Sequence, residues 1–252
     1  MLSKYGTSII TKDFTMSIPN DYFLDFSNVE YTQVREAHHG AVQAIRRAYY
    51  LMHDFITPGR TLMPRQRQLI EDSLFATFLS NSSNLRPYTH ISNYDWNFRL
   101  IHRNLYRLNR HSSHYEVRRS ADAVNGNDFA RSTVLDGSYA ATTTGVHNHR
   151  NQSDNDNPNI VLFDLFFTTS YSNRLRIIIH ELCHAVLGFD NPRSFRNSSA
   201  DAFSNDIYLE NINVFNAMSF NQSILNPDKH ALFVLLVTEI TLAFTSHFNQ
   251  TP

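Results

Sequence analysis

His180-Glu181-Leu182-Cys183-His184 combines the residue types that bind zinc with one that can activate water. Two histidines four apart on a helix differ by about 40° of rotation, so both imidazoles leave one face, a turn apart. In that arrangement two neutral ring nitrogens can share one tetrahedral ion at about 2.0–2.1 Å. Glu181 follows His180 too closely to chelate beside it. It is instead suited to take a proton from a metal-bound water, whose pKa zinc lowers to about 7. With 13 His and 7 Glu in 252 residues, chance yields this pattern roughly 0.02 times in a chain of this composition. The flanks Ile177-Ile178-Ile179 and Ala185-Val186-Leu187 predict a buried helix, which a rigid and poorly hydrated metal site requires. The plainer alternative is a core helix whose histidines find ordinary hydrogen-bond partners.

A catalytic zinc takes three protein ligands and a water, so a further donor is expected downstream. In one reading, Gly188 allows a sharp turn after the helix and Asp190 folds back to the metal before Asn191-Pro192. In the other, the donor is Asp201 on a helix over residues 199–208, on a face shared with Ser204 and Tyr208. Asp206, Glu210 or a distant histidine complete the alternatives. If Asp190 is the ligand, Asp201 is expected to orient His180 or His184 from behind, and otherwise Asp190 simply caps the helix end. Cys183, the single cysteine, reads as core filling in preference to a ligand. Met218 reads as an ordinary core methionine, with a place beneath the metal as the alternative.

Several elements must position these residues. An apolar stripe of Val42, Ile45, Tyr49, Met52 and Phe55 or Ile56 predicts a helix over 34–55, stopped by Pro58-Gly59. A second helix is predicted over 64–79, with Leu69, Ile70, Leu74, Phe75 and Phe78 facing inward and Asn81-Ser82-Ser83-Asn84 ending it. The stretch 95–110 fits helix or strand. Short β-prone runs at 115–118 and 131–143 follow, separated by Asn125-Gly126-Asn127. A polar loop over 148–159 leads into Ile160–Phe167, read as a strand feeding the zinc helix. The stretch Ala231–Phe248 is broken by Thr238, Glu239, Thr241, Thr245 and Ser246, and so predicts a buried or amphipathic helix and not a membrane span.

The expected fold class is α+β: one domain over 21–252, with helices flanking a small mixed sheet and the HExxH helix packed beneath it. Residues 1–20 are expected to form a loosely held leader without the apolar run of a secretory signal. A net charge of −1 demands neither nucleic acid nor an acidic membrane as partner. One cysteine permits no internal disulfide. Basic residues are lopsided, 19 Arg against 3 Lys.

His180-Glu181-x-x-His184 with Gly188 and Asp190 resembles the aspzincin class of zinc metalloproteases, and within it the NleC-like secreted bacterial effectors. Ala200-Asp201-Ala202-Phe203 resembles an acidic helix that backs the site in that family. Asp21-Tyr22-Phe23-Leu24-Asp25-Phe26 and the helix after it resemble its N-terminal segment. The resemblance implies a zincin-like fold and a Zn2+-dependent endopeptidase with ligands His180, His184 and Asp190 and base Glu181. It also implies secretion by a bacterium without a classical signal peptide, action in the host cytoplasm, and cleavage of a host Rel-type subunit such as NF-κB p65. The family's downstream tyrosine that contacts the metal site has Phe220 in the corresponding stretch here, leaving Tyr208 as its stand-in. A monomer with no membrane span is expected.

Two other functions compete. One is a zincin-fold protein that binds zinc without peptidase activity. Alternatively, Arg99, Arg103, Arg107, Arg110, His111, His114, Arg118 and Arg119, interleaved with Trp96, Phe98 and Tyr106, would form a stacking surface for nucleic acid. Their plainer reading is a solvated arginine face.

Overall fold

The computed structural model describes residues 23–24, 26–79, 95–112, 116–119, 140–143, 159–189, 209 and 212–240. The expected leader, residues 80–94, 120–139 and 144–158, and Asp190, Asp201, Asp206, Tyr208 and Glu210 lie outside them. Among the described residues the chain is mostly helical, with four short strands, and no helix is long and apolar enough to cross a membrane.

Helix α1 spans Asn28–Ile56 and begins earlier than the apolar stripe suggests. Ser27 accepts from the Glu30 backbone N–H, and Glu30 reaches back to the Ser27 N–H, so two orphan donors are satisfied reciprocally. The buried stripe is also different from the expected one. Val34, Ala37, Ala41, Ala44, Ile45, Ala48 and Met52 are buried, while Val42 and Tyr49 are only partly covered. Alanines carry this face because neighbouring helices approach it closely. At Gly40 an added Cβ would meet Leu175 Cδ2 at 2.7 Å and would overlap the Tyr171 hydroxyl.

Helix α2 spans Pro64–Leu74 and runs into a π-helical turn over Phe75–Leu79. The widened turn rotates Phe75 outward, to 47% exposure, and turns Thr77 and Phe78 inward. The inward assignment of Phe75 is thereby corrected. Helix α3, Asp95–His111, resolves the ambiguous stretch as helix, with Phe98, Ile101, Leu105 and Leu108 buried along one stripe.

Strands β1 (Phe23–Leu24), β2 (Glu116–Arg119), β3 (Ala140–Thr143) and β4 (Asn159–Leu162) form one sheet in the order β1-β2-β4-β3. β2 runs parallel to β1 and β4, and β3 pairs antiparallel to β4. Ile160, Val161 and Leu162 are all buried, as expected for a strand covered on both faces. The strand stops there. Asp164–Thr168 form a short helix, α4, contrary to the longer strand read from the sequence. Arg119, at the end of β2, explains the stop. It binds both Glu30 and Asp164 and lies over the Phe167 ring at 4.6 Å, joining the sheet to α1 and α4.

Helix α5, Tyr171–Leu182, is capped by Ser170 and continues as a π-helical turn over Cys183–Leu187. It packs between α1 and the last described helix, α8, Pro227–Val237. Between them lie Leu209 and the short helices α6 (Ile212–Ala217) and α7 (Phe220–Ser223). Lys229 of α8 is fully buried, with its Nζ 3.8 Å from the centre of the Phe215 ring of α6. Desolvation pushes its pKa down to about 8.

The close crossing of α1 and α5 makes a prediction. Gly40→Val should lower stability by about 1–3 kcal/mol through overpacking against Leu175. On an exposed helix the same change would gain a few tenths of a kcal/mol from propensity. Urea unfolding distinguishes the two, and an unchanged or raised midpoint would show that the crossing is loose.

Candidate metal centre

Every residue from Leu175 to Leu182 is buried, so α5 has no solvent face along that stretch. Three of these residues, Arg176, His180 and Glu181, are polar, at 6%, 5% and 6% exposure. Buried polar groups need partners, and the first two find one on α8. Asp228 Oδ1 accepts from His180 Nδ1 at 2.9 Å, and Oδ2 lies 3.4 Å from Arg176 Nη1 and accepts from the Leu209 N–H at 2.8 Å.

Asp228 stands in the first turn of α8, after the Asn226 cap and Pro227, where the free backbone N–H groups favour a negative charge. Burial alone would raise its pKa. The His180 hydrogen bond and charge, Arg176 and the Leu209 N–H outweigh burial and bring it down to about 2, from 3.8. The carboxylate is therefore ionised and can only accept, so His180 Nδ1 carries the proton.

His184 is fixed in the same way by a different group. Gly188 takes a left-handed conformation, φ 70°, and its N–H closes the turn on the His184 carbonyl. The Phe189 carbonyl then lies 2.9 Å from His184 Nδ1. A carbonyl only accepts, so this ring is also protonated on Nδ1. Phe189 in turn packs on His230, ring centres 5.2 Å apart. His230 is held neutral by burial, with a pKa of about 4, and bonds Asn226 and Asn104 of α3.

The two Nε2 atoms face one another at 3.0 Å. Where both rings are neutral, two lone pairs meet at that distance and repel unless a cation lies between them. The ring centres are 4.8 Å apart, so the rings are not aimed straight at each other. A tetrahedral zinc with two nitrogens at about 2.0–2.1 Å holds them about 3.3 Å apart, so the residues fit that ion. Arg107 of α3 donates to the Val186 carbonyl at 3.0 Å and anchors the far side of the turn.

The remaining candidates are placed as follows. Cys183 is fully buried in the apolar core, and burial pushes its thiol pKa up. Met218 is buried at 4% exposure. Among the described residues no third His, Cys, Asp or Glu joins the two histidines as a metal-binding group, and Asp190, Asp201 and Tyr208 lie outside them. The groups seen to orient the two described rings are Asp228 and the Phe189 carbonyl; the Asp201 expectation lies outside the described residues. Asn226-Pro227-Asp228, a cap followed by proline and an acid, was the available signal for Asp228. Of the arginine stretch, Arg107 and Arg119 make the bonds above, while Arg99, Arg103 and Arg110 are exposed on α3, where Arg110 bonds Tyr106. Phe98 is in the core, out of reach of a base. No protein-family model, curated protein or solved structure matches this chain.

Asp228→Asn should weaken zinc binding about 10–100-fold, measured by competition with a chromophoric chelator, because it loosens the His180 tautomer. It should also cost about 3–5 kcal/mol, since Arg176 is left without its buried anion. The wild-type contribution has a defined pH window. Asp228 has a folded pKa below its unfolded value, so its stabilisation is complete above about pH 4 and lost as pH falls toward about 2. Acid unfolding of the variant should lack that component.

Proposed function

We propose that this protein is a zinc-dependent endopeptidase with a zincin-like fold, in which His180 and His184 hold the metal and Glu181 is the general base. One observation carries the reading: the two Nε2 atoms stand 3.0 Å apart while each Nδ1 has a partner of its own, Asp228 or the Phe189 carbonyl. Asp190 follows directly on Phe189, whose carbonyl holds His184, which supports Asp190 over Asp201 as the third ligand.

The chemistry a bound zinc supplies is Lewis acidity, which lowers the pKa of its water to about 7 and polarises a carbonyl. Asp228 and the Phe189 carbonyl keep both rings in the ligating tautomer. Glu181 takes the proton from the attacking water and returns it to the leaving amine, splitting the amide. Burial of Glu181 keeps bulk water from competing for that proton. Among the described residues β3 is an edge strand, antiparallel to its neighbour and packed near α5. An extended substrate chain can add to such an edge by main-chain hydrogen bonds. The resemblance to NleC-like effectors supports a host Rel-type protein such as NF-κB p65 as substrate, met in the host cytoplasm after secretion.

Glu181→Gln should retain one zinc per chain by atomic absorption yet lose cleavage by at least about three orders of magnitude, whereas His184→Ala should lose the metal. The assay is p65 and a host-cell lysate, with new N-termini mapped with and without chelator. A Glu181→Gln protein that cleaves normally would remove Glu181 as base. Stoichiometric zinc without new N-termini would leave a zinc-binding protein that is not a peptidase. A chain that takes up no zinc would mean that a proton bridges the two rings.

A further inference from the structure

A second pair of imidazoles lies where α1 meets α3. His53 Nδ1 and His102 Nε2 are 3.3 Å apart, and both rings are half-buried. That separation equals the spacing of about 3.3 Å that a tetrahedral ion imposes on two nitrogens. The ring centres are 5.3 Å apart, with planes inclined by 34°. Rings pointing straight at each other would be roughly 5.6 Å apart at this nitrogen spacing, so these two are bent off the line between the nitrogens.

The rings are held by packing. Tyr49 stacks on His102, with centres 5.2 Å apart and planes at 27°, and it touches His53 at 6.0 Å and Tyr106 at 5.9 Å. Each histidine comes from a different rigid helix, so both side chains are positioned before any ion arrives. Among the described residues no carboxylate hydrogen-bonds either ring, which distinguishes this pair from His180 and its Asp228 partner. Desolvation, with His53 and Arg99 nearby, also lowers the pKa of His102.

We infer that His53 and His102 form a second metal site, a two-imidazole grip bridging α1 and α3 for a borderline divalent transition ion such as Zn2+, Ni2+ or Cu2+. Imidazole nitrogens suit these ions, while Mg2+ and Ca2+ require oxygen donors that the pair does not offer. Solvent fills the remaining positions, because the pair is partly exposed. Such an ion binds the folded chain and not the unfolded one, so it stabilises the α1–α3 contact by mass action.

The test uses the full chain without a histidine tag, stripped with chelator, and with His184→Ala to remove the HExxH site. This protein should bind one Ni2+ by calorimetry and melt at higher temperature when Ni2+ is added. Adding His53→Gln or His102→Gln should weaken Ni2+ binding by about tenfold or more and abolish the thermal shift. The Cu2+-loaded His184→Ala protein should give an electron paramagnetic resonance spectrum with two coordinated nitrogens. If His184→Ala does not fold, wild type already saturated with zinc at the HExxH site replaces it in each comparison. Ni2+ binding that is unchanged by both glutamine variants, or a Cu2+ spectrum without paired nitrogen coupling, overturns the site and leaves a simple N–H···N hydrogen bond.

Discussion

The arrangement on which the rest of the molecule depends is the commitment of both δ protons. An imidazole has one proton to place when neutral, and its site decides which nitrogen can bind a metal. Asp228 takes the proton of His180 and the Phe189 carbonyl takes that of His184. The two Nε2 atoms then face each other across 3.0 Å, a contact that is favourable only with a proton or a metal ion between them. The rings keep this contact because the groups behind them are themselves anchored. Asp228 is held by a helix start, a backbone N–H and Arg176, and Phe189 by a left-handed glycine and a buried His230.

Holding that arrangement in a fully buried helix sets demands on its neighbours. α1 meets α5 with alanines and Gly40, which allow the backbones to approach while excluding water. α8 brings an anion to the one place on α5 that needs it. The His180 hydrogen bond, Arg176 and the Leu209 N–H outweigh the burial that raises the Asp228 pKa. α3 closes the far end through Arg107 and Asn104, so three helices secure one turn of α5.

The juxtaposition of His180 and His184 was legible in the sequence because it is local: the spacing of four is a property of one helix. The Gly188 turn was legible for the same reason, since only a residue free of a Cβ adopts φ 70° without strain. Asp228 was not, because it stands 48 residues from His180 and no periodicity links them. The π-helical turns at Phe75–Leu79 and Cys183–Leu187 were not legible either, as no residue type marks them, and they change which side chains face inward. Apolar runs misled where burial has more than one cause. Ile160–Phe167 reads as a single strand, yet Arg119 holds Asp164 and converts its second half to helix. On α1 the search for large residues passed over the alanines that lie deepest, since small side chains are buried by the closeness of their neighbours and not by their own area.

The two histidine pairs present similar nitrogen spacings with opposite surroundings, and the surroundings decide what each can do. In the first, a buried carboxylate fixes the His180 ring and would raise its basicity toward an ion. In the second, aromatic stacking orients the rings but supplies no charge, and solvent reaches the pair. An ion held by two neutral nitrogens and water would be bound more weakly and would follow its concentration outside. A pair of imidazoles would thus serve chemistry where its protons are anchored, and report on its medium where they are not.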